Sequence, residues 1–154
     1  MIITSEDSER EALLNVAKLM VVAARTAPKA QGEDKIKTAI VTGNDKNELA
    51  NTMEQNGRLR DSKNVRDSEA VVLIGVEFGD PAEGWINFQA KLIDLGIAIG
   101  SAVKVADELS VDNRVMCSVG EGAKKMGQLK AGEILGIPLS VKGKNIFFDR
   151  KTPP

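Results

Sequence analysis

The sequence predicts a single α/β or α+β domain: a mixed central sheet with helices on both faces, built around a long buried central helix. Three observations carry this. Apolar runs at 36–42, 71–76 and 133–140 alternate with helical patterns, and neither a linker nor a repeat interrupts them. The run VVLIGV (71–76) has no polar alternation, the mark of a strand buried on both faces. The run LIDLGIAIGSAVKVA (92–106) is apolar on nearly every side, with Gly96 and Gly100 on one helical face. Such a helix must be covered almost all round. At 154 residues the chain suits one domain over 1–154, with a polar tail from about 150.

The elements follow in order. Ser8 and Glu11 form a capping box for the first helix, with Ser5 as a competing start. Leu13, Ala17, Met20, Val21 and Ala24 are spaced for one buried face, and the helix stops before Pro28. The strand 36–42 is bounded by Gly43-Asn44, and a polar helix from 45 to about 56 turns Leu49 and Met53 inward. The stretch EFGDPAEG (77–84) is a turn-rich loop ahead of the long helix, 87–109. A strand is predicted around 114–119, then a short helix over 120–127, then the strand 133–140 ending at Pro138. Beyond it only Ile146, Phe147 and Phe148 are apolar, and the phenylalanines read as packing.

Composition excludes several functions. Net charge is −1 with signs mixed, so no basic footprint for nucleic acid or an acidic membrane exists. The opening MIITSEDSERE carries acids where a signal peptide needs a basic region, and 92–106 is shorter than the ~20 apolar residues of a membrane span. A cytoplasmic protein is expected. One cysteine rules out an internal disulfide or an all-cysteine metal site, and histidine and tyrosine are absent. Chemistry must rest on carboxylates, lysines, backbone amides or a bound cofactor. There is no Walker loop, and Gly120-Glu121-Gly122 lacks the further glycine of a dinucleotide turn at Lys125.

Arg25 and Lys29 bracket Pro28, and two cations on a kinked turn either clamp a phosphate or complement the helix dipole. Gly96 and Gly100 each cost ~1 kcal/mol relative to alanine, so a close backbone, from this chain or a second copy, is expected against them. Asp94 sits among Ile93, Leu95 and Ile97 and needs a partner. Lys104 is too far along the helix, and Arg114 is the candidate. Cys117 falls in the predicted strand as a small buried hydrophobe. Ser140, Lys142, Gly143, Lys144 and Asn145 make a loop that an anion can approach. Trp85 suits the cap of a pocket or an interface.

The segments ARTAPKA (24–30), VVLIGV (71–76), LIDLGIAIGSAVK (92–104), VDNRVM (111–116) and GIPLSVKGKNIFFDR (136–150) resemble, in order and over nearly the whole chain, a prokaryotic family. It is the uncharacterised family of ferredoxin domain-containing proteins. Its members resemble a compact, distant version of the flavin-binding nitroreductase fold. There an arginine-bearing helix, an Ala-Pro-Ser-like turn and a long dimer helix shape a site for flavin mononucleotide (FMN). The resemblance implies a homodimer through 87–109, with Gly96 and Gly100 at the contact. It further implies FMN bound near Arg25 and Lys29, with Lys144 and Asn145 as further cofactor residues.

The family's insert of the Cys-Gly-Ala-Cys-Gly kind is missing. Residues 77–85 read EFGDPAEGW, so no iron–sulfur cluster is expected. Two functions follow: an FMN-dependent oxidoreductase of nitroreductase type, or a non-enzymatic dimeric module that binds a small ligand or partner.

Overall fold

The unbroken apolar run at 71–76 becomes the central strand β2 (Ala70–Val76), buried at every residue. In the computed structural model residues 1–149 are described, and the polar tail predicted at 150–154 lies outside them. Strand β1 (Ile36–Val41) flanks β2 on one side, β4 (Glu133–Ser140) on the other, and the two-residue β3 (Asp112–Asn113) lies outside β4. Ile36 pairs with Val76 and Val76 with Glu133, while Asp112 pairs with Ser140.

All three pairings are antiparallel, so the sheet is not mixed and the α+β alternative holds. The reason is the connection. Helices α2 (Gly43–Gln55) and α3 (Leu59–Asp67) run out and back, returning the chain to the edge where β1 ended. Helix α3 itself was not predicted, because Val65 is its single buried apolar residue and leaves no period to read.

Alternate residues of β2 serve two cores. Ala70, Val72, Ile74 and Val76 meet α1 (Ser5–Thr26) and α4 (Gln89–Glu108). Val71 and Leu73 meet α2, α3 and α5 (Cys117–Lys125). Helix α1 starts earlier than the Ser8 box: Thr4 Oγ1 accepts from the Asp7 amide at 3.2 Å and donates to its carboxylate at 2.8 Å. Strand β4 runs through Pro138 to Ser140. The Gly136 amide points toward Met116, so the Pro138 nitrogen two residues on faces the same side, where β3 pairing is broken and no donor is needed.

Two expectations change. Residues 114–119 are not a strand: only a Met116–Gly136 bridge forms, and α5 begins at Cys117. Gly120 explains the earlier start, because it lets α5 lie against the β4 backbone. A Cβ there would sit 1.7 Å from the Ile134 carbonyl oxygen. Cys117 is therefore an exposed helix-start residue rather than a buried strand residue.

The second change concerns α4. Within one chain it is covered on one flank only, through Ala90, Lys91, Asp94, Leu95, Ala98, Ile99, Ala102 and Ala106. Leu92, Ile93, Gly96, Ile97 and Gly100 face outward, and Ile93 is 53% exposed. Trp85–Glu108 is also the one stretch among the described residues whose length and composition would suit a membrane crossing. Its covered flank is part of the domain core.

The glycine packing is testable. Gly120→Ala is expected to cost about 3 kcal/mol in urea unfolding, as overpacking against backbone does. Gly143→Ala, where a Cβ meets nothing within 4 Å, is expected to change stability by less than about 0.5 kcal/mol.

Candidate functional site

The turn after α1 is fixed to the start of α4 by charge. Pro28 cannot continue the helix, and the chain makes a single tight turn at Ala30–Gly32 in which Gln31 takes the left-handed φ of 57°. The Ala30 amide donates to Asp94 Oδ1 at 2.9 Å. Lys91 Nζ lies 3.8 Å from Asp94 Oδ2 and 3.2 Å from Glu33 Oε2, and its side chain is 1% exposed. The Lys91 ammonium, helped by Lys35, holds the Glu33 carboxyl below its usual value. Asp94 thus pairs with Lys91, one turn earlier on its own helix, and not with Arg114, which lies across the sheet. That i,i+3 spacing was readable in the sequence.

Arg25 and Lys29 come together at this turn, and both are engaged. Arg25 Nη2 is 2.7 Å from Asp34 and its Nη1 donates to the Ile36 carbonyl at 3.2 Å. Lys29 Nζ donates to the Arg25 and Ala27 carbonyls at 2.5 and 2.6 Å. Lys144 and Asn145 lie elsewhere. Arg25 holds the Ile36 end of the sheet, whereas the 141–149 loop leaves β4 beyond Ser140, at the other end. Asn145 Oδ1 accepts from the Phe147 and Phe148 amides at 3.0 and 3.2 Å, shaping that loop, and Lys144 is exposed. One chain does not gather these four residues.

A cavity of about 610 Å³ opens between α2, α3 and α5, with Met53 and Gly122 among its walls and Arg58, Lys124 and Lys125 among its charges. A second, of about 280 Å³, shares Arg58, Ser118 and Glu121 and adds Arg60, Asp61, Arg114 and Cys117. Gly122 makes room here: a Cβ would meet Leu49 and Met53 at 3.0 Å. The Lys144 loop reaches this site through Arg114, which donates to the Phe147 carbonyl at 3.5 Å and lies 5.2 Å from the Phe148 ring centroid. The start of α5 has no side-chain cap, so its first amides add positive potential to the arginines.

Asp61 and Glu121 offset part of that charge. Arg58 pairs with Glu121 at 3.1 Å and Arg60 with Asp61 at 2.9 Å, while the Ser118 hydroxyl donates to Asp61 at 2.6 Å. Burial pushes the Asp61 carboxyl up, but the Ser118 hydroxyl, Arg60 and Arg114 outweigh it and hold it below the usual 3.8. Sequence reading missed Arg58, Arg60, Asp61 and Ser118. The available signal was the Arg-Leu-Arg-Asp run after Gly57, a turn residue with φ of 78°.

Comparison with known proteins places these features. Residues 87–150 match a family described as uncharacterized proteins containing a ferredoxin domain. An uncharacterized protein from Archaeoglobus fulgidus is 36% identical over 182 residues, covering 97% of this chain and 98% of the relative. That aligned span exceeds the chain's own length, so the relative carries segments this chain lacks. Among solved structures, the hypothetical oxidoreductase YcnD from Bacillus subtilis superposes with a TM-score of 0.64 at 12% identity, over 85% of this chain and 58% of that one. The chain therefore spans less than two thirds of YcnD. A protein described as a nitroreductase, in complex with FMN, from Desulfovibrio desulfuricans superposes with a TM-score of 0.64 at 13% identity, over 99% and 82%. The fold is nitroreductase-like.

Asp61 gives a pH test. A carboxyl held low in the folded state contributes stability above its unfolded value, and that contribution disappears as pH falls through the folded value. The stability difference between the wild type and Asp61→Asn is expected to be full near neutral pH. It should close progressively below the usual 3.8, followed by urea unfolding at stepped pH.

Proposed function

Because the chain belongs to the family of uncharacterized proteins containing a ferredoxin domain and has a nitroreductase-like fold, we propose that it is a cytoplasmic, homodimeric FMN-binding redox protein without an iron–sulfur cluster. The observation that carries this is the pair of cavities at α5, one large, with Met53 and Gly122 in its wall beside charged side chains, and one smaller and rich in arginine. Ligand pockets generally span about 300–1,000 Å³, and FMN has an apolar ring system joined to a phosphate. The residues present fit that group. Arg58, Arg60 and Arg114 would meet the phosphate with the uncapped start of α5, and Lys144 would add charge from the neighbouring loop.

Flavin supplies hydride and electron transfer, so a chain without histidine or tyrosine needs only to bind it, orient it and exclude water. The single cysteine and the cysteine-free 77–85 segment support a protein without the cluster.

The dimer is supported by α4. A Cβ at Gly96 or Gly100 meets nothing within 4 Å, so among the described residues of one chain no close contact offsets the ~1 kcal/mol cost of each glycine. The same flank exposes Leu92, Ile93 and Ile97. A second α4 is the cover these features fit. The Arg25–Lys29 turn is tied to α4, so those cations border the subunit boundary, on the face of the sheet opposite the α5 cavities. A second reading, a non-enzymatic dimeric module that binds a ligand or partner, is favoured by one observation: Arg25 and Lys29 are already held by carbonyls and Asp34.

Flavin titration separates the two. Under the first reading, adding FMN perturbs its visible spectrum, and Arg58→Ala/Arg114→Ala lowers affinity at least tenfold, about 1.4 kcal/mol, with the fold intact by circular dichroism. A wild-type protein that leaves the FMN spectrum unchanged assigns the chain to the second.

A further inference from the structure

The three residues ahead of the Thr4 cap of α1 are Met1, Ile2 and Ile3, and among the described residues nothing covers them: Ile2 is 95% and Ile3 65% exposed. The first turn of α1 follows with Glu6 and Asp7, and then come Glu9 and Glu11. The segment is therefore an apolar tip backed by negative charge. Apolar residues fully bathed in water beside a charged helix start have a reason to find a surface.

The complementary pattern lies across the sheet. Leu59, Val115 and Phe148 are exposed apolar residues set among Arg58, Arg60 and Arg114. They are contiguous. Leu59 and Arg60 wall one cleft, and Arg60, Arg114 and Val115 wall the next. Arg114 then lies over the Phe148 ring. The existing pairs there, Arg58–Glu121 and Arg60–Asp61, have half-exposed arginines, as does the exposed Arg10–Glu6 pair at the other surface. Pairs of that kind contribute little in water and can exchange partners. The two patterns belong to opposite faces, because α1 packs in one core and α3 and α5 in the other.

We propose that residues 1–3 of a second copy of this chain dock on the Leu59–Val115–Phe148 rim, with Glu6 and Asp7 set against Arg58, Arg60 and Arg114. The segment then covers the mouth of the smaller α5 cavity. The docking uses the arginines proposed to meet the flavin phosphate, so it is tested on flavin-free protein, where its failure leaves the FMN reading standing.

The chain's single cysteine provides the test, because Cys117 is exposed and walls that same cavity. Chains carrying Ile3→Cys and Cys117→Ser are mixed with wild-type chains and oxidised with diamide, so a disulfide between positions 3 and 117 joins two copies. The linked dimer is expected to form at least tenfold faster than with a Lys18→Cys/Cys117→Ser control, and more slowly at high salt. Equal rates overturn the proposal. So does Ile3→Cys alone, with Cys117 retained, closing its disulfide within a single chain at high dilution. Deleting residues 1–3, which keeps the Thr4 cap, is expected to raise the iodoacetamide alkylation rate of Cys117 several-fold. An unchanged rate in the folded deletion variant also overturns it.

Discussion

The molecule depends on an apolar helix that a single chain covers on one flank only. On the inner flank of α4, Leu95, Ala98, Ala102 and Ala106 close the core against α1 and β2. On the outer flank, Gly96 and Gly100 with Ile93 and Ile97 present an apolar surface, and among the described residues no side chain stands against the two glycines. The inner flank also carries two charged residues, which would be costly to bury unless satisfied. The turn after α1 partners Lys91 through Glu33 and Asp94 Oδ1 through the Ala30 amide, while Asp94 Oδ2 has the Lys91 charge 3.8 Å away and no hydrogen bond among the described residues. The same contacts that stabilise the buried charges therefore fix the turn that carries Lys29 and adjoins Arg25.

The two faces of the sheet have different roles. The α1–α4 face buries its Lys91–Asp94 pair at one anchored turn, and its uncovered apolar α4 surface suits self-association. The α2–α3–α5 face holds the cavities, the arginines and the exposed thiol. Glycine is used differently on each. Gly120 and Gly122 remove side chains so that α5 can approach β4 and α2, whereas Gly96 and Gly100 leave space that this chain does not fill.

Much of the fold was legible because burial imposes period. The unbroken VVLIGV run announced a strand covered on both faces, and Pro28 marked the end of α1. Strand direction was not legible, since apolar runs carry no sign of it, and α3 hid because a single apolar residue buries it. The start of α5 was misread as strand because Val115, Met116 and Val119 look β-like one residue at a time. That error displaced Cys117 and concealed the α5 cavity. Arg25 and Lys29 were visible as a pair of cations, but not their partners, which come from Asp34 and from backbone carbonyls.

The outer flank of α4 gives the most direct test. Sedimentation equilibrium of the unmodified protein at tens of micromolar, in ordinary salt, reports the mass without any substitution. The proposed packing predicts twice the 16.5 kDa of one chain. A mass of one chain across that range would contradict it, leaving the glycine-notched surface facing water and the subunit boundary without a second side.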